Sequence, residues 1–459
     1  MSDELSAQCM TATAPGTSGG LTDRIAAFIS DYDAASTPAD VQRHAARALA
    51  NWFACSVGGS QDASVDKLLA VIDVGGNRRQ ATVLGRNRKL DMANAAFANA
   101  FASNALDFDD MHVSVLIHPT GPVVAAALAV AECRRATGQE LLDAIVIGIE
   151  VELHIGECLF PDHYDTGWHI TATAGVLGAA ASAGALLGLD KKQTARALAM
   201  AATQAGGLRA MLPNEGKNLN VGRAAYGGVF AALLAEQGLT SAPAILDEPF
   251  GYFSVFKPND GYRDNLADLG RRFLIAGMSL KPYPCGVVIH PVIDACIAIS
   301  RRHGFAGDAV RGVEIFVHPR TAVLAEKQDP ASLITSRFSL HHAAALALTF
   351  GAADFATFEN TDVADPRLVV LRRCITVHHS PQLPQTQARV IVHLEGLGKV
   401  EEHVTQATGG PDNPLSTAQL KQKFVQLCGM AMDDGFAETM FDRCLSIAEV
   451  PDVSAFFTA

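Results

Sequence analysis

Aromatic side chains are scarce in this chain. They make up 7% of its 459 residues, although 49% are hydrophobic. Its core must therefore be filled by Ala, Val, Leu and Ile, which favours closely packed helices over an aromatic-rich sandwich. Basic excess is absent too. The formal net charge is -12 and the pI about 5.6, the opposite of the basic footprint on which nucleic-acid affinity rests. The 9 cysteines form no CxxC pair and are odd in number. Reduced thiols, mostly small buried hydrophobes, are the simplest reading, and their spacing supports neither zinc nor an iron-sulfur cluster. No run reaches the roughly 18 uncharged apolar residues of a membrane span. Asp143 and Glu150 interrupt the most apolar stretch, residues 141–151. Residues 1–20 lack a basic segment followed by an apolar one, so no secretory signal is expected, and a flexible N-terminus on a cytoplasmic protein is. Also missing are a GxSxG elbow, an HExxH pair and the kinase motif set.

What is present is one polar, titratable stretch between alanine-rich, helix-like runs. Residues 104–122 read NALDFDDMHVSVLIHPTGP and carry Asp107, Asp109, Asp110, His112 and His118. Such a segment framed by apolar helices can form the wall of a buried site. Helical patterns precede it at residues 38–59, 63–74 and 90–105, and follow at 123–136, 140–158, 174–187, 191–206 and 221–237. Glycines 175, 178, 184 and 188 might suggest a dinucleotide loop. That motif needs a strand before it; here a histidine-bearing loop comes before, and close helix packing explains the glycines better. Alternating, strand-like runs appear at 313–318, 374–378, 388–394 and 399–406, and a helical pattern returns at 417–445. The expected fold is mainly α: a large all-helical domain (21–275 and 407–459) with a smaller inserted α+β lid domain (276–406).

Four further motifs carry polar groups. His169 lies in GWHITATAG, just before a tight helix, where a cation is disfavoured and a neutral imidazole fits. A plain hydrogen-bonding role for it weighs equally. Lys217 lies in NEGKNLNVGRAA, between residues that let backbone approach a ligand, with a helix expected from about residue 221. An isolated lysine is more often solvated. Lys281 sits in the proline-fixed turn LKPYPCG, which would orient its ammonium toward a pocket. Arg337 and the adjacent His341 and His342 lie in SRFSLHH, and at most one of those histidines can face a site. An Asp/His/His/Lys/Lys set without metal-ligand spacing suits acid–base work on an anionic substrate.

Together these segments resemble the MmgE/PrpD family. The matching pieces are ALDFDD with His118-Pro119, GWH with TATAG, Lys217 followed by GRAA, KPYP with His290 and Asp294, and Arg337-Phe338-Ser339. They occur in the family's order across most of the chain. The family includes 2-methylcitrate dehydratase, cis-aconitate decarboxylase and iminodisuccinate epimerase. The resemblance implies a large helical domain, a smaller α+β lid, a homodimer, no metal or organic cofactor, and an active site between the domains. It also implies that Asp107, His118, His169, Lys217 and Lys281 belong to that site. Asn220 stands where many members have histidine and His342 where tyrosine is common.

The function expected from this is a cofactor-independent lyase on a small di- or tricarboxylate, with a 2-methylcitrate dehydratase-like hydro-lyase first. Decarboxylation and epimerisation share its carbanion logic and stay open. Lys217 and Lys281 would hold carboxylates and steady developing charge. His118 or His169 would move the proton, and Asp107 would orient a histidine or transfer a proton. Asn220, Arg337 and His342 are candidate substrate-binding residues. A carboxylate-binding protein without turnover is the competing class, favoured by Asn220 and His342.

Overall fold

Small residues decide the architecture. The computed structural model describes residues 20–74, 78–305 and 307–456. The expected flexible segment lies outside them except for Gly20, and so do Gly75 and Gly76, the two glycines expected to end the 63–74 helical pattern. The helix Ile170–Leu186 is buried on every side from Ile170 to Gly184. It packs against Thr120–Arg134, Gly138–Leu159 and Gly216–Glu236. A Cβ added to Gly178 would lie 2.7 Å from the Gly148 carbonyl oxygen, and one on Gly175 would lie 2.6 Å from Pro122 Cγ. These glycines let helices touch, as expected, and form no phosphate loop. Gly188 differs: nothing crowds it, and its φ of +64° turns the chain out of the helix.

Local signals set the helix ends. Asp91 caps Met92–Ala105 by accepting from the Asn94 N–H, and Thr137 with Glu140 forms a reciprocal box at the start of Gly138–Leu159. The Lys217 region departs from expectation. Its helix begins at Gly216, not near residue 221, so Lys217 lies inside the first turn. The expected run at 417–445 is two helices, Thr417–Cys428 and Asp434–Leu445. Both pack on Ala39–Gly59.

One apolar core gathers residues from the helices up to Met278 and from the two C-terminal helices. A second runs from Cys285 to Leu394. It contains a four-stranded sheet in the order Ile375–His379, Val310–Val317, Ala388–Leu394, Gly398–Val404. The first pair is parallel and the other two are antiparallel. The helices His290–His303 and Leu340–Phe350 pack together beside it. Elsewhere two short antiparallel pairs occur. Ala81–Val83 pairs with Arg88–Leu90, a partner strand that the pattern did not show. Asp110–Met111 pairs with Ser279–Leu280, with Asp110 opposite Leu280. That second pairing matters most, because it sets Lys281 beside the acidic stretch. Among the described residues no helix is long and apolar enough to cross a membrane.

Candidate active site

The acidic stretch leaves the Met92–Ala105 helix and immediately adopts a constrained shape. Asp107 has φ +51°, in the left-handed region that side chains other than glycine seldom occupy. Backbone held there commonly marks a functional position. The turn points its carboxylate at two lysines. Lys217 Nζ donates to Asp107 Oδ1 at 2.5 Å, and Lys281 Nζ donates to the same oxygen at 3.0 Å and to the Asp107 carbonyl at 3.0 Å. Lys281 is 0% exposed and Lys217 5%. Burial opposes the charge on Asp107, but Lys217 and then Lys281 outweigh it and hold the carboxyl down at about 2. Burial likewise opposes the Lys281 charge, and Asp107 and Asp109 overcome it, raising its pKa.

Asp109, rather than Asp107, lies beside His118. Its Oδ2 lies 2.9 Å from His118 Nδ1 and accepts from Asn104 Nδ2 at 2.7 Å. Its Oδ1 lies 3.3 Å from Lys281 Nζ. Burial works against ionisation here too; the His118 ring and Lys281 hold Asp109 well below the usual carboxylate range. Burial pulls His118 below its ordinary value, against the raising effect of Asp109. A proton on Nδ1 fits the Asp109 contact and leaves the Nε2 lone pair free. His169 occupies the position just before the Ile170–Leu186 helix, its backbone N–H donating to the Gly207 carbonyl at 3.0 Å. Burial, then His118 and Lys217, bring its pKa down to about 3.

Asp107, His118, His169, Lys217 and Lys281 line one pocket of about 250 Å³, a size for a small molecule. It is also lined by Gly286 to Ile289 and by Val323, Leu324 and Ala325. Met111, Tyr164, Arg209, Lys327 and Phe338 also line it, and motif reading found none of them as site residues. Phe338 had a signal, since it sits inside the SRFSL motif; Lys217 Nζ lies 5.7 Å from its ring centre.

The expected substrate-binding residues do not line this pocket. Arg337 is buried, donates to the Ala105 carbonyl at 3.1 Å and is ion-paired with Glu359. His342 is in the second core, its Nδ1 3.1 Å from Arg372 Nη1, and burial followed by Arg372 lowers its pKa to about 4. Asn220 turns away and donates to the Leu208 carbonyl at 3.2 Å, tethering the loop that carries Arg209. Asp110 is engaged by the Thr120 hydroxyl, and burial with Asp109 nearby raises it to about 7. His112 is held by Ser114 at 2.9 Å.

Lys423 was missed altogether. It comes from the helix Thr417–Cys428 and donates to Asn51 Oδ1 at 2.7 Å, the Phe108 carbonyl at 2.6 Å and the Lys281 carbonyl at 2.8 Å. Its ammonium joins the two backbone segments that supply the Asp107–Lys281 pair. A signal existed: Lys423 is three residues from Leu420 and four from Leu427, on the helix's apolar face.

Comparison with known proteins agrees with the motif order. A model of the MmgE/PrpD N-terminal domain matches residues 23–264, and one of the C-terminal domain matches residues 283–446. The chain belongs to the MmgE/PrpD family. Within the family it is 25% identical over 477 residues to a cis-aconitate decarboxylase-like protein of Aspergillus oryzae, covering 97% of this chain and 98% of that protein. It is 25% identical to a cis-aconitate decarboxylase of Aspergillus terreus, over 95% of this chain and 94% of that protein. A mouse cis-aconitate decarboxylase is 28% identical over 75% of this chain and 73% of its own length. The MmgE/PrpD C-terminal match reaches past the sheet into the two last helices, whose apolar residues belong to the first core.

Proposed function

We propose that this chain is a lyase acting on a small di- or tricarboxylate, with chemistry at a carbon next to a carboxylate. The observation that carries the reading is the shared pocket: two buried lysines bridged by Asp107, with two neutral imidazoles on the same wall. In a chain of net charge -12, Arg209, Lys217, Lys281 and Lys327 line this pocket, and Asp107 is the carboxylate on its wall. That local excess of cations suits a polyanion.

In the dehydration reading, His118 Nε2 takes the proton next to a carboxylate. The electron pair forms the alkene, the neighbouring C–O bond breaks, and the departing hydroxide leaves as water with a proton returned by the imidazolium. Asp109 holds the ring and stabilises that imidazolium. Lys217 and Lys281 stabilise negative charge as it develops. No metal or organic cofactor enters this scheme, and the segment around residues 276–406 acts as a lid that keeps water out. The depressed pKa of both histidines supports this order, since a neutral imidazole begins as a base. His342, in the second core beside Arg372, has no part in it.

Decarboxylation is the second reading, favoured by the names of the relatives. The C–C bond to a carboxylate breaks, CO₂ leaves, the pair is delocalised over the alkene, and a proton is added to carbon. It needs a histidine protonated before turnover. Supplying purified protein with cis-aconitate and with 2-methylcitrate separates the two: CO₂ release marks one, alkene absorbance the other. If neither substrate nor related polycarboxylates turn over, or if His118→Ala and Lys217→Ala keep the full rate, the reading fails.

A further inference from the structure

Asp107 and Asp109 already answer the charges of Lys217 and Lys281. An anion entering the pocket therefore meets two cations that the interior carboxylates do not neutralise. Arg209 is half-buried, with its guanidinium 4.4 Å above the Tyr164 ring and donating to the Tyr164 carbonyl at 3.3 Å. Lys327 is exposed at the pocket edge, and its carbonyl is pinned by the Ser339 hydroxyl at 2.5 Å. Both line the pocket, and among the described residues neither takes part in an ion pair with a protein carboxylate.

They come from different parts of the chain. Arg209 opens the short turn Arg209–Met211. Its backbone N–H donates to the Gly167 carbonyl at 2.8 Å, Leu208 pairs with Trp168, and Asn220 holds the Leu208 carbonyl. The loop is therefore fixed and the guanidinium is pre-oriented on an aromatic face. Lys327 follows the helix Pro319–Ala325, on the wall that also supplies Phe338. Its backbone is fixed while its ammonium can still move.

We propose that Arg209 and Lys327 form a second carboxylate clamp at the pocket mouth, which selects substrates with a further carboxylate remote from the reacting carbon. This rests on the polycarboxylate reading above and deepens it: the interior lysines serve the carboxylate at the reacting carbon, and the mouth pair reads the rest of the molecule. The clamp distinguishes tricarboxylates from dicarboxylates. Arg209 contributes more than Lys327, because its planar fork is already ordered and Lys327 must give up rotamer freedom on binding.

The test uses the full chain and two unreactive probes, tricarballylate with three carboxylates and glutarate with two, titrated by calorimetry. Wild type should bind tricarballylate about ten- to hundredfold more tightly than glutarate, the range for one net charge-assisted hydrogen bond. Arg209→Gln should bring that ratio to within about threefold, and Lys327→Gln should reduce it by a smaller factor. Lys399→Gln, on the exposed strand Gly398–Val404, removes the same charge elsewhere and should leave the ratio unchanged. Lys327 is exposed, so its variant folds irrespective of how the Arg209 loop responds. If wild type binds both probes equally, or if the double variant keeps the wild-type ratio, the clamp is refuted while the polycarboxylate reading stands. If wild type binds neither probe, nor any other polycarboxylate, that reading fails and takes the clamp with it.

Discussion

Replacing Lys423 by methionine tests whether a residue outside every recognised motif holds the site together. The change keeps the length of the apolar stem and removes the ammonium. Three acceptors then lose their partner: Asn51 Oδ1, the Phe108 carbonyl and the Lys281 carbonyl. At about 1–3 kcal/mol for each buried acceptor left bare, the loss is about 3–9 kcal/mol. Methionine also removes the cost of burying a cation, several kcal/mol. That cost is real here, since burial lowers the Lys423 pKa to about 8. The net expectation is destabilisation by about 2–5 kcal/mol. Urea unfolding followed by tryptophan fluorescence can measure it, because Trp52 is buried next to Asn51 in the helix Ala39–Gly59. Catalysis should suffer separately. With the carbonyls of Phe108 and Lys281 no longer joined, the Asp107–Lys281 geometry loosens, and kcat should fall by about tenfold to a hundredfold in protein that is still folded. A variant within about 1 kcal/mol of wild type and with full kcat would refute the reasoning, because it would show that the three contacts join nothing that matters.

Three other outcomes follow from the geometry. Asp109→Asn should lower kcat by about 10²–10⁴, because the amide no longer fixes the proton on His118 Nδ1; nitrogen NMR of the labelled ring reads the tautomer directly, and an unchanged tautomer with unchanged kcat counts against the role. His169→Gln should remove an acid-sensitive component of stability. With a folded pKa of about 3 and an ordinary value near 6.5, the unfolded chain alone binds the proton between those values, so this contribution falls as the pH drops from about 6.5 to about 3. Relative to wild type, the variant should therefore gain about 3 kcal/mol between pH 7 and pH 4, measured as the difference between urea midpoints at the two pH values. Gly59→Ala places a Cβ 2.0 Å from the Ala102 carbonyl oxygen, forcing the helices Ala39–Gly59 and Met92–Ala105 apart. A loss of about 1–3 kcal/mol or more in the same unfolding assay is the expected result.

Much of the helical framework was legible because its signals are local. Small residues packed shoulder to shoulder and turns built on proline lie within a few positions of the structure they cause. Residues 104–122 were legible as a site wall for a related reason: a run of carboxylates and imidazoles between apolar helices has to be buried and answered by something. What it could not reveal is which acid answers which partner. Asp107 and Asp109 differ by a turn of backbone, and the φ of +51° at Asp107 aims one at the lysines and leaves the other to His118. Arg337 and His342 stand apart from the pocket of Lys217 and Lys281 for a different reason. Both are buried and polar, as site residues often are, but Glu359 and Arg372, distant in sequence, engage them first.

Asn220 joins these observations. Its place where many family members have histidine made it a candidate for binding substrate. With the helix beginning at Gly216, Asn220 faces Leu208, and its side chain holds the loop from which Arg209 projects. The position that departs from the common family pattern therefore contacts the Arg209 loop through the Leu208 carbonyl. If Arg209 selects for a remote carboxylate, Asn220→Ala should weaken tricarballylate binding in the same direction as Arg209→Gln but by a smaller factor, because it frees the loop without removing the charge. Glutarate, held by the interior lysines, should be unaffected. Equal weakening for both probes would mean that Asn220 supports the whole pocket and has no selective link to Arg209.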